Sequence, residues 1–482
     1  MTKPTTPMAR YTRSAATALV LGLVALLAFT TPAWAADGDL DTSFDSDGKR
    51  IYGRTTGHDG LSHVFTQPNG NLILSGSDNN NLDDHRARRW AHIEVDPSGV
   101  STSLFSGPAD DRLFWSPRTD VAEETLLMND GRYAQVGVAG THTSNSSKDY
   151  DCVVAVRKAD GSLDTTGFNS TGWLPATVTM STNNAKGRFH VAFSTWKDDD
   201  CNAGAIQDDG KIVVGGWVGV GSSADVALAR LNTDGTLDTS FNSDGKWTAH
   251  LGGGWEAIRA IAIDANGKIV VAGSTRSPYD FFVARFTPSG NLDTSFSGDG
   301  IHTFDLGAGN DDELWGLKIQ DDGKIVVTGF NGSGNVGVAR LTSAGAMDSS
   351  FGSGGITITD LGGSNDQARD LVIASDGKII IGGFTNANGD FDFAAARYTT
   401  SGALDTSFSS DGIATVDIRD TNRDDKAYAI AIAGNGSVVL AGNSRHDTSS
   451  AGTRREWAVA QILSSTGPPG SIAMAAFGKF RG

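Results

Sequence analysis

The stretch Leu237-Asp238-Thr239-Ser240-Phe241 keeps returning along the chain. A chain that repeats a short unit at a near-fixed period folds by stacking copies that share their cores, so this recurrence constrains the fold more than any other feature. Full copies stand at Leu292 to Phe296, Leu404 to Phe408 and Leu40 to Phe44. Met347 to Phe351 is a softened copy, Leu163 to Phe168 carries one inserted residue, and Val100 to Phe105 reads as a worn copy without its Asp. The gaps between copies run from 55 to 74 residues.

Two further landmarks recur as often. An Asn/Asp-Gly turn has its Gly at 70, 131, 210, 267, 323, 377 and 436. An apolar strand begins near Trp90, Cys152, Val226, Phe281, Val336, Phe393 and Trp457. The clearest unit, Trp255 to Leu306, reads as four strands. They are Ile258 to Ile263, Lys268 to Gly273, Phe281 to Phe286 and Ile301 to Leu306, and turn residues separate them. Ala260 and Ala262 alternate with Ile261 and Ile263, which suits a crowded innermost strand.

The expected fold is therefore all-β: a seven-bladed β-propeller with four antiparallel strands per blade. An open solenoid is the rival and would need polar caps at both ends. The termini favour closure. The last unit stops near Leu463 without a signature or fourth strand, and the chain from Leu40 to Tyr52 supplies those pieces. An N-terminal strand completing the last blade would hide the edges an open sheet exposes.

Composition agrees, with 61 Gly and only 12 Pro, as many short strands and turns require. Residues 1–35 read as a signal peptide. Lys3, Arg10 and Arg13 precede an apolar run from Ala15 to Phe29, and Ala33-Trp34-Ala35 is a small-x-small cleavage pattern. No later segment is apolar enough to cross a bilayer as a helix. The propeller is expected over 36–466 and a flexible tail over 467–482. The chain is then exported: periplasmic, cell-surface or extracellular. A net charge of −17 disfavours nucleic acid. Cys152 and Cys201 are the only cysteines, and export would permit a disulfide whose formation the sequence leaves open. Trp173 to Lys197 is an insertion, and Ser77 to Arg89 and His446 to Glu456 read as long polar loops.

The signature, the DGKIVVAG turn-strand and the VAR strand resemble the delta-60 repeat family of exported bacterial proteins, a β-propeller domain of unknown function. The likeness spans about residues 37–465 and is sharpest from Ala203 to Asp417. It implies a propeller and export, and no activity.

Two columns carry candidate chemistry. Eleven residues before each turn Gly stand Asp59, Asp120, Asp199, Glu256, Asp312, Asp366 and Asp425, all acidic. Ringed around a channel mouth, they would suit a hard cation such as Ca²⁺. Capping turns, or pairing with Lys211, Lys268, Lys324 and Lys378, is the competing structural use. Three residues later the column reads Ser62, Glu123, Asn202, Arg259, Trp315, Arg369 and Tyr428. Such variety on a regular scaffold suits a recognition surface on the channel face. Arg beside Trp and Tyr could hold a sugar or an aromatic-rich peptide. The signature Asp is expected to cap its own turn and to pair with Arg230, Arg285, Arg340 and Arg397 across the blade.

No HExxH, G-x-S-x-G, Walker or dinucleotide motif is present. The resulting expectation is a non-enzymatic, monomeric binding scaffold for a glycan or protein, with no catalytic residues and no cofactor beyond Ca²⁺. A polysaccharide-active hydrolase or lyase, with acids drawn from separate blades, is one alternative. A structural surface protein stiffened by calcium is the other.

Overall fold

A computed structural model describes residues 36–52, 60–79, 88–105, 121–140, 150–171, 186–194, 198–220, 223–252, 254–276, 280–307, 312–419, 423–448 and 452–464. The expected leader and tail lie outside these residues. Among the described residues no helix is long and apolar enough to cross a membrane.

Among the described residues the regular secondary structure is all strand. The first strand is β1 (Lys49–Tyr52). Then come β2 (Gly60–Thr66), β3 (Leu72–Asn79), β4 (Arg88–Val95) and β5 (Ser101–Phe105). Next are β6 (Val121–Leu127), β7 (Tyr133–Gly140), β8 (Tyr150–Arg157) and β9 (Arg188–Val191). They are followed by β10 (Asp198–Ile206), β11 (Ile212–Val220), β12 (Ser223–Leu231) and β13 (Lys246–Ala249). The fourth run is β14 (Trp255–Ile263), β15 (Ile269–Arg276), β16 (Phe281–Phe286) and β17 (Ile301–Phe304). The fifth is β18 (Glu313–Ile319), β19 (Ile325–Phe330), β20 (Val336–Leu341) and β21 (Ile356–Thr359). The chain closes with β22 (Gln367–Ile373), β23 (Ile379–Thr385), β24 (Asp392–Tyr398) and β25 (Ile413–Val416), then β26 (Asp425–Ile432), β27 (Val438–Thr448) and β28 (Gly452–Ile462).

The architecture is an all-β propeller, but the expected seven-bladed ring with four strands in every blade is corrected. Hydrogen bonding yields five free-standing four-stranded sheets: β2–β5, β6–β9, β18–β21, β22–β25, and β26–β28 with β1. Strands β10 to β17 form a single eight-stranded sheet. A parallel bridge between Ala224 of β12 and Trp255 of β14 joins its two halves. The chain enters β14 close enough beside β12 for backbone groups to meet, a contact that strand periodicity does not encode.

The turns follow from their residues. Between β14 and β15, Asp264 Oδ1 accepts the backbone N–H of Asn266 and of Lys268 at 2.8 and 2.9 Å, and Gly267 takes φ of 74°. The third strands are buried on both faces: every residue of β16, β20 and β24 is enclosed. Apolar clusters straddle adjacent sheets. One joins Leu61, Leu72 and Ile93 to Ala429, Val439 and Val459, so the first full sheet packs on the last. The last sheet is itself completed by β1, with Lys49 to Tyr52 paired against Ala460 to Trp457 of β28.

The signature is a buried clamp. Phe44, Phe168, Phe241, Phe296, Phe351 and Phe408 are fully enclosed. Nε of Arg230, Arg285, Arg340 and Arg397 meets Oδ2 of Asp238, Asp293, Asp348 and Asp405 at 2.7–2.8 Å. Each guanidinium lies over its own signature Phe, 4.6–4.9 Å from the ring centroid. Arg230 and Arg340 reach on to the Pro288 and Thr400 carbonyls of the following unit at 2.5 and 2.6 Å, and Arg285 reaches Ser343 in the same way. Lys211, Lys268, Lys324 and Lys378 also serve the signature Asp, at 2.7–3.5 Å. They do not serve the acidic column expected as their partner.

Two units vary the clamp. Arg132 pairs with Asp164 at 2.7 Å, while Gln461, Asn435 and Ser437 surround Asp41 Oδ2 at 2.8–3.1 Å.

Two local readings are also corrected. Val100 to Phe105 is not a signature: Ser101–Phe105 is β5 itself, following the Pro97-Ser98-Gly99 turn directly. His446 to Thr448 and Gly452 to Glu456 are strand rather than loop, because β27 and β28 stay paired out to Thr448 opposite Gly452; residues 449–451 lie outside the described residues. The cysteines are joined: Cys152 on β8 and Cys201 on β10 form a disulfide between neighbouring sheets, with Cα atoms 4.9 Å apart.

Candidate functional site

The innermost strands are β2, β6, β10, β14, β18, β22 and β26. Each lies against the next, and β26 lies against β2, so they surround a common space. Each pairs with its outer neighbour through a register shift that leaves one residue unpaired. The unpaired residues are Ser62, Glu123, Asn202, Arg259, Trp315, Arg369 and Tyr428. This is the variable column of the sequence. A β-bulge turns its extra residue away from the ladder and re-aims the side chain.

A second column, missed in the sequence, makes the bulges possible. Opposite them stand Gly76, Gly137, Gly216, Gly273, Gly329, Gly383 and Gly442. A Cβ at any of these would lie 1.8–2.1 Å from a carbonyl oxygen of the bulged strand. Only Gly tolerates that approach. The signal was available: each of these Gly falls six residues after a turn Gly.

All seven bulged residues line one cavity of about 610 Å³. Their side chains are linked around its wall. Ser62 Oγ donates to the Ala122 carbonyl at 2.6 Å, and Asn202 Nδ2 to the Ile258 carbonyl at 3.1 Å. The guanidinium carbons of Arg259 and Arg369 stand 4.5 and 4.2 Å from the Trp315 ring centroid, and that of Arg369 is 5.8 Å from Tyr428. Arg369 also bonds Gln367. Burial pushes the Arg369 pKa down to about 10, so the group stays a cation at neutral pH. Trp315 Nε1 and Arg369 Nε are shielded donors with no hydrogen-bond partner.

Beside the bulges, His63, Glu124 and Asp370, each the residue after a bulged position, add a second tier of charge with Lys318. His63 Nε2 faces Glu124 Oε1 at 3.9 Å, and Lys318 Nζ faces Asp370 Oδ1 at 3.6 Å. Burial pushes Glu124 up to about 7, against the Gly204 N–H it accepts at 2.6 Å. Burial likewise holds His63 down to about 4, so it is neutral at pH 7.

The acidic column is placed differently. Asp59 and Asp120 lie outside the described residues. Asp199, Glu256, Asp312, Asp366 and Asp425 are fully buried. Each accepts a backbone N–H where the chain arrives from the preceding unit: Phe193, Leu251, Leu306, Leu361 and Ile418, at 2.6–2.8 Å. They fasten one unit to the next. Among the described residues no cluster of potential metal ligands holds two members of this column.

A family model described as a domain of unknown function (DUF5122) beta-propeller matches residues 207–241, 265–296, 320–351 and 374–408. No curated protein matches the chain in sequence. Several solved structures are similar at low identity. A catalytically inactive virginiamycin B lyase from Staphylococcus aureus, crystallised with quinupristin, is 10% identical. The match covers 86% of this chain and 99% of that one, with a TM-score of 0.44. Sqt1 from Chaetomium thermophilum is 13% identical over 86% of this chain and 85% of its own, with a TM-score of 0.39. A protein of unknown function from Dyadobacter fermentans is 11% identical over 86% and 100%, with a TM-score of 0.36.

Proposed function

We propose that this chain is an exported, monomeric, non-enzymatic propeller that captures an oxygen-rich ligand, a glycan or an acidic peptide, in the cavity walled by its bulged residues. The observation that carries the reading is the pair of shielded donors, Trp315 Nε1 and Arg369 Nε, left without partners beside stacked aromatic and guanidinium groups. Buried donors without acceptors are costly, and a ligand oxygen would relieve them. Arg and Trp are also the residue types that most often dominate binding energy. The leader pattern and the Cys152–Cys201 disulfide support export.

The test is a glycan and peptide array probed with the full-length protein, followed by titration of any ligand found against Arg369→Ala and Trp315→Ala. Each variant should weaken binding by roughly tenfold or more. An empty array, or full affinity in both variants, would remove the reading.

One feature favours a polysaccharide-active hydrolase or lyase instead: Glu124 lines the cavity 3.9 Å from His63, and burial pushes its carboxyl up to about 7, the range a general acid uses. Product released from an array glycan, and lost in Glu124→Gln, would replace binding with catalysis.

A further inference from the structure

A different group of carboxylates stands where the β22–β25 sheet meets the closing sheet. Asp392 opens β24, Asp417 follows β25 and Asp425 opens β26. One carboxylate oxygen from each lies within 4.8 Å of the other two. All three side chains are held in place. Asn388 Nδ2 donates to Asp392 Oδ2 at 2.9 Å, the Ile418 N–H to Asp425 Oδ2 at 2.8 Å, and the Arg419 N–H to Asp417 Oδ1 at 3.0 Å.

The independent observation is what remains unsatisfied. Asp392 is 2% exposed and its Oδ1 has no hydrogen-bond partner, while the Asp425 carboxyl, 0% exposed, is served by the Ile418 N–H and the Ser444 hydroxyl. Carboxylate oxygens enclosed together with so few donors repel one another and forfeit their hydration. The neighbouring Arg419 guanidinium is turned to Ser444 Oγ and Glu456. Lys49 Nζ meets the Asp417 backbone carbonyl at 3.2 Å.

We propose that Asp392, Asp417 and Asp425 hold one hard divalent cation of the Ca²⁺ class, which ties the closing sheet to its neighbour. Oxygens on opposite sides of Ca²⁺, each at about 2.4 Å, stand about 4.8 Å apart, so three oxygens within that span can share a single ion. Carboxylates on three separate segments give the loose geometry that Ca²⁺ accepts and Mg²⁺ does not. The ion would offset the crowded charge where the β22–β25 sheet meets the closing sheet. The site is separate from the cavity, so its failure would leave the ligand reading untouched.

The test is calorimetric titration of chelator-treated full-length protein with CaCl₂, with thermal denaturation at each Ca²⁺ concentration. About one Ca²⁺ per chain should bind, and Tm should rise as the ion is added. Asp417→Asn should weaken binding at least tenfold and keep the calcium-free Tm of the parent. Asp392→Asn serves as the second variant if the first fails to fold. Asp225→Asn, in another carboxylate cluster, should bind as the parent does. No heat and no Tm shift, parental affinity in Asp417→Asn and Asp392→Asn, or equal binding of Mg²⁺ would overturn the proposal.

Discussion

At the scale of single residues, carboxylates in two settings act in opposite ways. The signature Asp is surrounded by donors: Asp293 accepts from Lys268 Nζ, Arg285 Nε and Ser295 Oγ at 2.6–2.8 Å. Burial raises the pKa of these residues, but the hydrogen bonds and the Arg together outweigh it. Asp238 is held at about 2, and Asp293 is lowered too. For Asp348, held at about 2, the Ser350 hydroxyl is the largest influence. The unfolded chain then binds more protons than the folded one below about pH 4, so this stability is present above pH 4 and drains away as pH falls toward 2. Asp199, Asp312, Asp366 and Asp425 of the acidic column run the other way. Burial pushes Asp199 up to about 7 and Asp312 and Asp425 to about 6. Here the folded chain holds the extra protons, so stability is lost as pH rises from about 4 to 7. Urea midpoints across pH 2 to 8 should therefore peak between about pH 4 and 6. Asp293→Ala, which leaves Arg285 buried and unpaired, should cost about 3 kcal/mol at the peak and progressively less below pH 4. A flat profile, or an unchanged midpoint in Asp293→Ala, would contradict this division of roles.

At the scale of the element, the bulge is what converts a repeated strand into a recognition position. It needs Gly on the facing strand. Gly273→Ala would place Cβ 1.9 Å from the Ala257 carbonyl, so the bulge must relax or the sheet must strain. The variant should lose about 3 kcal/mol in urea denaturation, and a midpoint equal to the parent's would refute the argument. The sequence showed the strands, their turns and the varied column at Arg259 and Trp315. It did not show why that column varies, because an extra residue in every copy leaves the period unchanged. Only pairing to the second strand exposes the extra residue. Val100 to Phe105 misled for a related reason, since its Ser and Thr fit a turn as well as an edge strand. His446 to Glu456 misled because polar residues extend a hairpin as readily as they form a loop. The acidic column was visible and uniform, but its partners are backbone N–H groups, which no side-chain pattern reveals. The Arg–Asp clamp was legible because both partners recur at fixed spacing.

At the scale of the whole molecule, closure is what gives these columns a shared centre. β1 completes the closing sheet beside β28, and the Cys152–Cys201 bridge fastens β8 to β10. The inner strands then bring Ser62 near Tyr428, residues far apart in the chain, onto one wall. The sheets are not all independent: five stand alone and one runs through eight strands, so the joint at Ala224 and Trp255 is stitched by backbone as well as by side chains. The central claim is that every inner strand ejects its bulged residue into one common cavity. A crystal structure of the full-length protein tests it most directly. The account predicts Ser62, Glu123, Asn202, Arg259, Trp315, Arg369 and Tyr428 facing a single shared cavity, each beside a bulge across from its Gly. Unbulged inner strands, or those side chains facing outward or buried between sheets, would contradict it.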